Sequence, residues 1–232
     1  MTDKPTLILL PGQLCDEALW DSQVRALFDV VRVIVADLTL DDSVGAMAER
    51  VLAGAPAGFA VCGLSLGGYV AFEIVRRAPG RVTHLCLMNS SARADEAHQA
   101  ELRQRRVTAA RIGTFKGVTP HFLPSIVSPA NAANPAIADI VLAMTERVGR
   151  VAFERQQMAA ITRPDCRDLL PSIAVPTLVI GGLQDRVTPP ALQEEIAAGI
   201  PGAQLMLLEN CGHLAPLEQA EIVTGAMWDW LN

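Results

Sequence analysis

The stretch Phe59-Ala60-Val61-Cys62-Gly63-Leu64-Ser65-Leu66-Gly67-Gly68-Tyr69 decides how this chain is read. Phe59–Cys62 is an apolar run of strand length, and Tyr69–Arg77 carries apolar residues at helical spacing, so the Gly-rich piece between them is a strand-to-helix turn. Within that turn stands the pattern G-x-S-x-G. Gly63 and Gly67 let the backbone crowd together, so that a strained turn holds the Ser65 hydroxyl out above the sheet. The N–H of Leu66, at the helix start, is then free to meet a developing negative oxygen. In isolation the pentapeptide also fits a plain Gly-rich turn; the strand before it and the helix after it favour the nucleophile.

Similar short runs recur on both sides: Thr6–Leu10, Val31–Val35, His84–Met88, Thr177–Ile180 and Gln204–Leu208. Near-continuous apolar runs suit parallel strands buried on both faces, and helical segments such as Pro190–Ala198 alternate with them. The pattern predicts an α/β fold: a mostly parallel sheet of about six strands flanked by helices, with ligands beyond the carboxyl ends of the strands. From Ser91 to Pro171 the rhythm stops. Only helical segments occur there (Asp95–Arg111, Ala136–Gly149, Val151–Ile161), broken by Pro120, Pro124, Pro129 and Pro135. An interval of roughly 80 residues is too long for a simple connection. The expected organisation is a core of residues 1–90 and 172–232, with residues 91–171 inserted as a helical lid.

Composition narrows the function. The chain has 232 residues, 50% of them hydrophobic, which is enough to build a core and excludes disorder. No apolar run is long enough to cross a bilayer, and Met1–Thr6 shows no leader pattern, so a cytoplasmic location and no membrane contact are expected. A net charge of −6 argues against nucleic-acid binding. The five cysteines show neither CxxC nor Cys/His metal spacing, and the Gly-rich elbow lacks a P-loop Lys, so neither a metal nor a cofactor is expected.

A serine hydroxyl needs a base beside it, and there are four histidines to choose from. His84 opens a strand at its amino end, the wrong side of the sheet, and His98 and His121 fall in the insertion. His213 lies just past the final strand, where it can reach Ser65. Its second nitrogen needs an acceptor. Asp185, after the penultimate strand, is the best placed, although an Asp there also fits as a cap of the following helix. Asp37, after the second strand, and Glu209, close to His213 in sequence, are the rivals. A second oxyanion donor is expected from the loop Leu10–Asp16, where Gly12 allows a sharp turn that presents the N–H of Gln13. An ordinary loop with Asp16 as a helix cap competes with that assignment.

With these residues in view, the sequence resembles the α/β-hydrolases over essentially its whole length. Gly63–Gly67, the segment Val175–Asp185, and Gly212-His213 followed by Pro216-Leu217-Glu218 match that family's motifs, and Ser65, Asp185, His213 follow its chain order. The groups it looks most like are small carboxylesterases, enol-lactonases and the methyl esterase that releases pimeloyl-carrier protein. There are two departures. Pro11-Gly12 stands where the family usually has His-Gly, and no hairpin precedes Thr6–Leu10. With serine rather than aspartate at the elbow, haloalkane dehalogenation is excluded.

The resemblance and the site together imply ester or thioester hydrolysis through an acyl-enzyme on Ser65. An enol-lactonase or a carbon–carbon bond hydrolase on the same triad is the alternative, and a ligand-binding receptor on the same scaffold is a reading of another class. Phe115, Phe122, Met144, Phe153 and Met158 are candidates for an apolar acyl pocket, or simply core of the insertion. Asn89, Ser90 and Ser91 either bind a charged substrate or cap the first inserted helix. The segment Ser91–Pro171 carries a net +3 against −9 elsewhere. Its Arg103, Arg105, Arg106, Arg111, Arg147, Arg150 and Arg155 suit docking of an acidic acyl-carrier protein, or form a solvated face balanced by Glu101, Glu146 and Glu154. Cys15 and Cys211 flank the site as reactive thiols or as apolar filler.

Overall fold

Every residue of the strands β1 (Thr6–Leu10) and β3 (Phe59–Leu64) is buried, and alternate side chains enter different cores. Leu7, Leu9, Cys62 and Leu64 pack with Leu27, Val223, Met227 and Trp230 on one face. Ile8, Leu10 and Val61 pack with Met47, Val70 and Ile74 on the other. Two buried faces explain why these strands read as unbroken apolar runs. Each fully buried leucine among them stabilises the fold by roughly 1.5–3 kcal/mol.

The computed structural model describes residues 4–232; Met1–Asp3, part of the start where no leader pattern is seen, lie outside the described residues. After β1 come α1 (Asp21–Leu27), β2 (Arg32–Val35), α2 (Val44–Gly54), β3, α3 (Leu66–Arg77) and β4 (Val82–Met88). The second half holds α4 (Ala97–Ile112), α5 (Pro129–Ala132), α6 (Pro135–Ile161), β5 (Thr177–Gly182), α7 (Pro190–Gly199), β6 (Gln204–Leu208), α8 (Ala215–Glu218) and α9 (Ala220–Leu231). Among the described residues the sheet has six strands in the order β2-β1-β3-β4-β5-β6, every pair parallel. The chain runs outward from β1 to β2 and then returns to β3 on the other side. That reversal opens a crevice at the carboxyl ends of β1 and β3, where open α/β sheets hold their ligands. Pairing of Leu10 with Gly63 and of Leu64 with Met88 brings the loops after β1, β3 and β4 to one place.

Between β4 and β5 the described chain is helical. A reciprocal capping box starts α4, Glu96 and Gln99 each satisfying the other's backbone N–H. Gly149, at φ 72°, breaks α6 at the expected boundary. Beyond the break Gln156 is buried, accepting from Leu14 N (3.0 Å) and donating to Leu38 O (3.2 Å). One side chain thereby ties the insertion to the loops after β1 and β2, a role invisible in a glutamine on a helix.

Candidate active site

Ser65 has φ 54° and ψ −111°, a conformation that costs a non-glycine residue about 1–3 kcal/mol and persists only where its surroundings enforce it. The enforcement is visible. Ser65 N donates to Met88 O (2.9 Å), and Ser90 Oγ donates to Ser65 O (2.9 Å). A Cβ on Gly67 would run into the Leu10 carbonyl, and one on Gly63 into the Gly67 backbone. The turn therefore needs both glycines. Ser90 braces the elbow and does not cap α4, which Glu96 does. The Ser65 hydroxyl has no hydrogen-bond partner among the described residues, and it faces a cavity of about 870 Å³ that His213 also lines.

The His213 imidazole is fixed from behind. Its Nδ1 lies 2.8 Å from Asp185 Oδ2 and 3.2 Å from Thr188 Oγ1. Asp185 is itself saturated: Oδ1 accepts from Val187 N (2.8 Å) and Thr188 N (2.9 Å). Oδ2 accepts from Thr188 Oγ1 (2.6 Å) and Asn89 Nδ2 (2.9 Å). Burial pushes the Asp185 carboxyl up, but the imidazole and the Thr188 hydrogen bonds outweigh it and hold the pKa below the usual aspartate value. The rivals are elsewhere. Asp37 is exposed and accepts from Thr39, and Glu209 is exposed. His84 stacks edge-on against Trp230 and His121 is exposed; His98, also exposed, lines the cavity but stands 3.4 Å from Glu96 rather than against Asp185. Asn89 neither caps a helix nor faces the substrate side; it donates to Asp185 and to Gly212 O (3.0 Å). Sequence reasoning misses Thr188 and gives Asn89 a different role, since an Asn after a strand and a Thr before a Pro pair carry no signal of a shared acceptor.

The loop carrying His213 is held by a second buried carboxylate. Glu218 accepts from Gly212 N (3.0 Å to each oxygen), Leu214 N (3.1 Å), Ser128 N (2.7 Å) and Asn131 Nδ2 (3.0 Å). His213 N donates to Ile126 O (2.6 Å). The segment around Ile126–Asn131 of the insertion is thus joined to the histidine loop through one anion and one backbone bond.

On the other side of the cavity Leu66 is the first residue of α3, so its N–H has no intrahelical acceptor. No acceptor among the described residues takes the Gln13 N–H, and both residues line the cavity with Ser65. Asp16 caps the turn that follows, accepting from Ala18 N. Phe115, Phe122 and Phe153 line the cavity, with the Phe115 and Phe153 rings 5.2 Å apart. The two methionines expected beside them do not. Met144 is fully buried in the apolar cluster beneath, and Met158 is turned about 140° round the helix from Phe153 and lies outside the lining.

Cys15 and Cys211 are buried. Burial, reinforced by Asp16, pushes the Cys15 thiol up to about 12, and burial with Glu218 and Asp185 raises that of Cys211. Both pack within the apolar cluster on that face of the sheet. Most of the basic set of the insertion is engaged: Arg103 with Asp95 (2.7 Å), Arg105 with Glu101 (3.9 Å), Arg111 with Glu154 (2.8 Å), Arg147 with Asp16 (2.7 Å) and Arg150 with Glu154 (4.0 Å). Arg155 donates to Thr39 O (3.2 Å). Among the described residues no cluster of His, Cys, Asp and Glu could hold a metal ion, and no helix is long and apolar enough to cross a membrane.

A serine on a strained strand-to-helix turn, sharing a cavity with an imidazole backed by a carboxylate over a parallel sheet, is an arrangement of hydrolases. The model of the alpha/beta hydrolase family matches residues 7–226, and the chain belongs to that family. A pimeloyl-[acyl-carrier protein] methyl ester esterase of Neisseria meningitidis is 28% identical over 194 residues, covering 82% of this chain and 75% of its own length. Among solved structures, a thermophilic esterase from Thermogutta terrifontis, with malate bound, superposes with a TM-score of 0.89 at 28% identity, covering 99% of this chain and 90% of that one. An enol-lactonase from Burkholderia xenovorans shares the fold at a TM-score of 0.89 and 24% identity, over 99% and 92% of the two chains.

Proposed function

We propose that the chain hydrolyses carboxylic esters or thioesters through an acyl-enzyme on Ser65. The observation that carries this reading is the 2.8 Å contact of His213 Nδ1 with Asp185 Oδ2 in the wall of the cavity that the Ser65 hydroxyl faces. His213 Nε2 takes the serine proton as Oγ attacks the acyl carbon, then gives it to the leaving oxygen or sulfur; it next activates water to release the acid. Asp185 fixes the tautomer with the proton on Nδ1 and stabilises the imidazolium. Asn89 and Thr188 keep that carboxylate in place. The N–H groups of Leu66 and Gln13 receive the oxyanion, and such a donor contributes roughly 3–4 kcal/mol to the transition state. Residues 91–171 cover the acyl side, where Phe115, Phe122 and Phe153 form an apolar wall.

Docking of an acidic carrier protein finds less support. The arginines that make the insertion basic are largely neutralised by its own and neighbouring carboxylates, so little unbalanced charge is left on its outer face. The test is turnover of p-nitrophenyl esters from acetyl to dodecanoyl by the wild type and by Ser65→Ala. Multiple turnovers that vanish in the variant are expected. A folded wild type that turns over none of them, or a Ser65→Ala protein as active as wild type, would refute the acyl-enzyme and return weight to the receptor reading.

A further inference from the structure

Two arginines of that set, Arg106 and Arg155, have no carboxylate partner among the described residues; Arg155 donates to Thr39 O and lies off the cavity wall, so Arg106 is the one whose position matters for substrate. Arg106, on α4, lines the cavity that contains Ser65 and His213 and forms no salt bridge among the described residues. Lys116 and Arg186 line the same cavity and are likewise without a carboxylate partner there. The remaining charged groups of the wall are already committed. Arg93 pairs with Glu195 at 2.8 Å. The carboxylate of Asp95, 1% exposed, is clamped between Arg103 at 2.7 Å and Arg163 at 2.6 Å. Glu96 caps α4. In a chain of net charge −6, this cavity therefore presents free cations and no free carboxylate.

We propose that the cavity selects esters whose acyl part bears a carboxylate remote from the scissile bond, that is, half-esters of dicarboxylic acids, with Arg106 as the principal receptor of that carboxylate. A guanidinium meets a carboxylate with two parallel N–H···O bonds, a charge-assisted pair stronger than a neutral hydrogen bond. Partial burial, together with the neighbouring Arg103, holds the Arg106 pKa below the usual arginine value; an anion beside it removes that strain. The apolar wall of Phe115 and Phe153, lining the same cavity, suits the methylene chain between the two carboxyl ends. The cavity, equivalent to a sphere roughly 12 Å across, has room for such a chain. The inference rests on the acyl-enzyme reading for its chemistry, but the anion site stands on its own charge and shape.

The decisive comparison is between the monomethyl and dimethyl esters of succinic to suberic acids, which share acyl chain and leaving group and differ by one charge. For the best chain length, kcat/KM of the half-ester should exceed that of the diester by tenfold or more. The ratio should collapse toward one in Arg106→Gln and survive in part in Arg106→Lys. Equal kcat/KM for the two esters in the wild type, or a ratio that Arg106→Gln leaves unmoved, overturns the proposal. Calorimetric titration of adipate into the Ser65→Ala protein separates this from failure of the acyl-enzyme. Binding that is lost in Ser65→Ala/Arg106→Gln upholds the anion site even where no ester is turned over. Absence of binding, or binding indifferent to Arg106, overturns it.

Discussion

Replacing Glu218 by Gln tests how far the histidine loop depends on one buried anion. All the groups that contact this carboxylate are N–H donors: Gly212 N, Leu214 N, Ser128 N and Asn131 Nδ2. An amide of the same size has a single oxygen to offer them. Placed where Oε2 is, that oxygen keeps Ser128, Asn131 and one of the two Gly212 contacts. The NH2 group then stands where Oε1 is, 3.0 Å from Gly212 N and 3.1 Å from Leu214 N, donor against donor. Leaving a buried donor unsatisfied costs about 1–3 kcal/mol, and here both the Leu214 N–H and the new NH2 group are affected. Relief from burying an ionised group that has no cation within salt-bridge distance among the described residues offsets part of this. The expected net loss is about 2–3 kcal/mol. For a domain of this size that is roughly 5–10 °C in Tm. Because Gly212 and Leu214 flank His213, kcat should also fall, by about tenfold to a hundredfold, with a smaller change in KM. Thermal unfolding followed by circular dichroism, alongside ester kinetics, measures both. A Glu218→Gln protein with wild-type Tm and wild-type kcat would refute the idea that the carboxylate organises the loop.

Two further outcomes follow from the ionisable groups. The folded-state pKa of Asp185 is depressed below the unfolded value, so its contribution to stability is fully present above about pH 4 and is lost as the pH falls below that. Urea unfolding should find Asp185→Asn less stable than wild type at pH 7, with the difference shrinking toward pH 3; a difference that does not change with pH would count against the assigned shift. All five cysteines are buried, and the two nearest the site hold raised thiol pKa values. Iodoacetamide at pH 7.5 should therefore leave the native protein unmodified and fully active while alkylating five thiols in urea, as mass spectrometry would report; rapid inactivation of the native protein would contradict the burial.

The parts of the fold that were legible in the sequence are those enforced by local chemistry. The run Phe59–Cys62 reads as a strand because both its faces are buried, and Gly63 and Gly67 announce a turn that no residue with a Cβ can make. Gly149 marks a helix break because the backbone there takes a positive φ. What stayed hidden depends on distant partners. Gln156 looks like any helical glutamine until the loops after β1 and β2 converge on it. Met144 and Met158 have the right chemistry for an acyl pocket, yet the rotation of α6 takes both off the cavity wall. Periodicity reports that a helix has an apolar side; it does not report which part of that side faces solvent-filled space and which faces core.

The site divides along the same line. Asp185 and His213 come into contact, and His213 and Ser65 come to line one cavity, because each follows the end of a strand and the ends of parallel strands meet. Their support is not found that way, because it consists of single polar side chains serving acceptors far away in the chain: Asn89 for Asp185, Ser90 for Ser65 and Glu218 for the loop of His213. Counting charges misleads for a related reason. The surplus of arginine between Ser91 and Pro171 suggests a basic surface, but electrostatic attraction for a partner depends on charge that remains unpaired after folding. Once the pairs with Asp16, Asp95, Glu101 and Glu154 are made, the arginines of that set left without a carboxylate among the described residues are Arg155, bound to Thr39 O, and Arg106 on the cavity wall, and Arg106 points the question of specificity inward to the substrate's far end rather than outward to a protein partner.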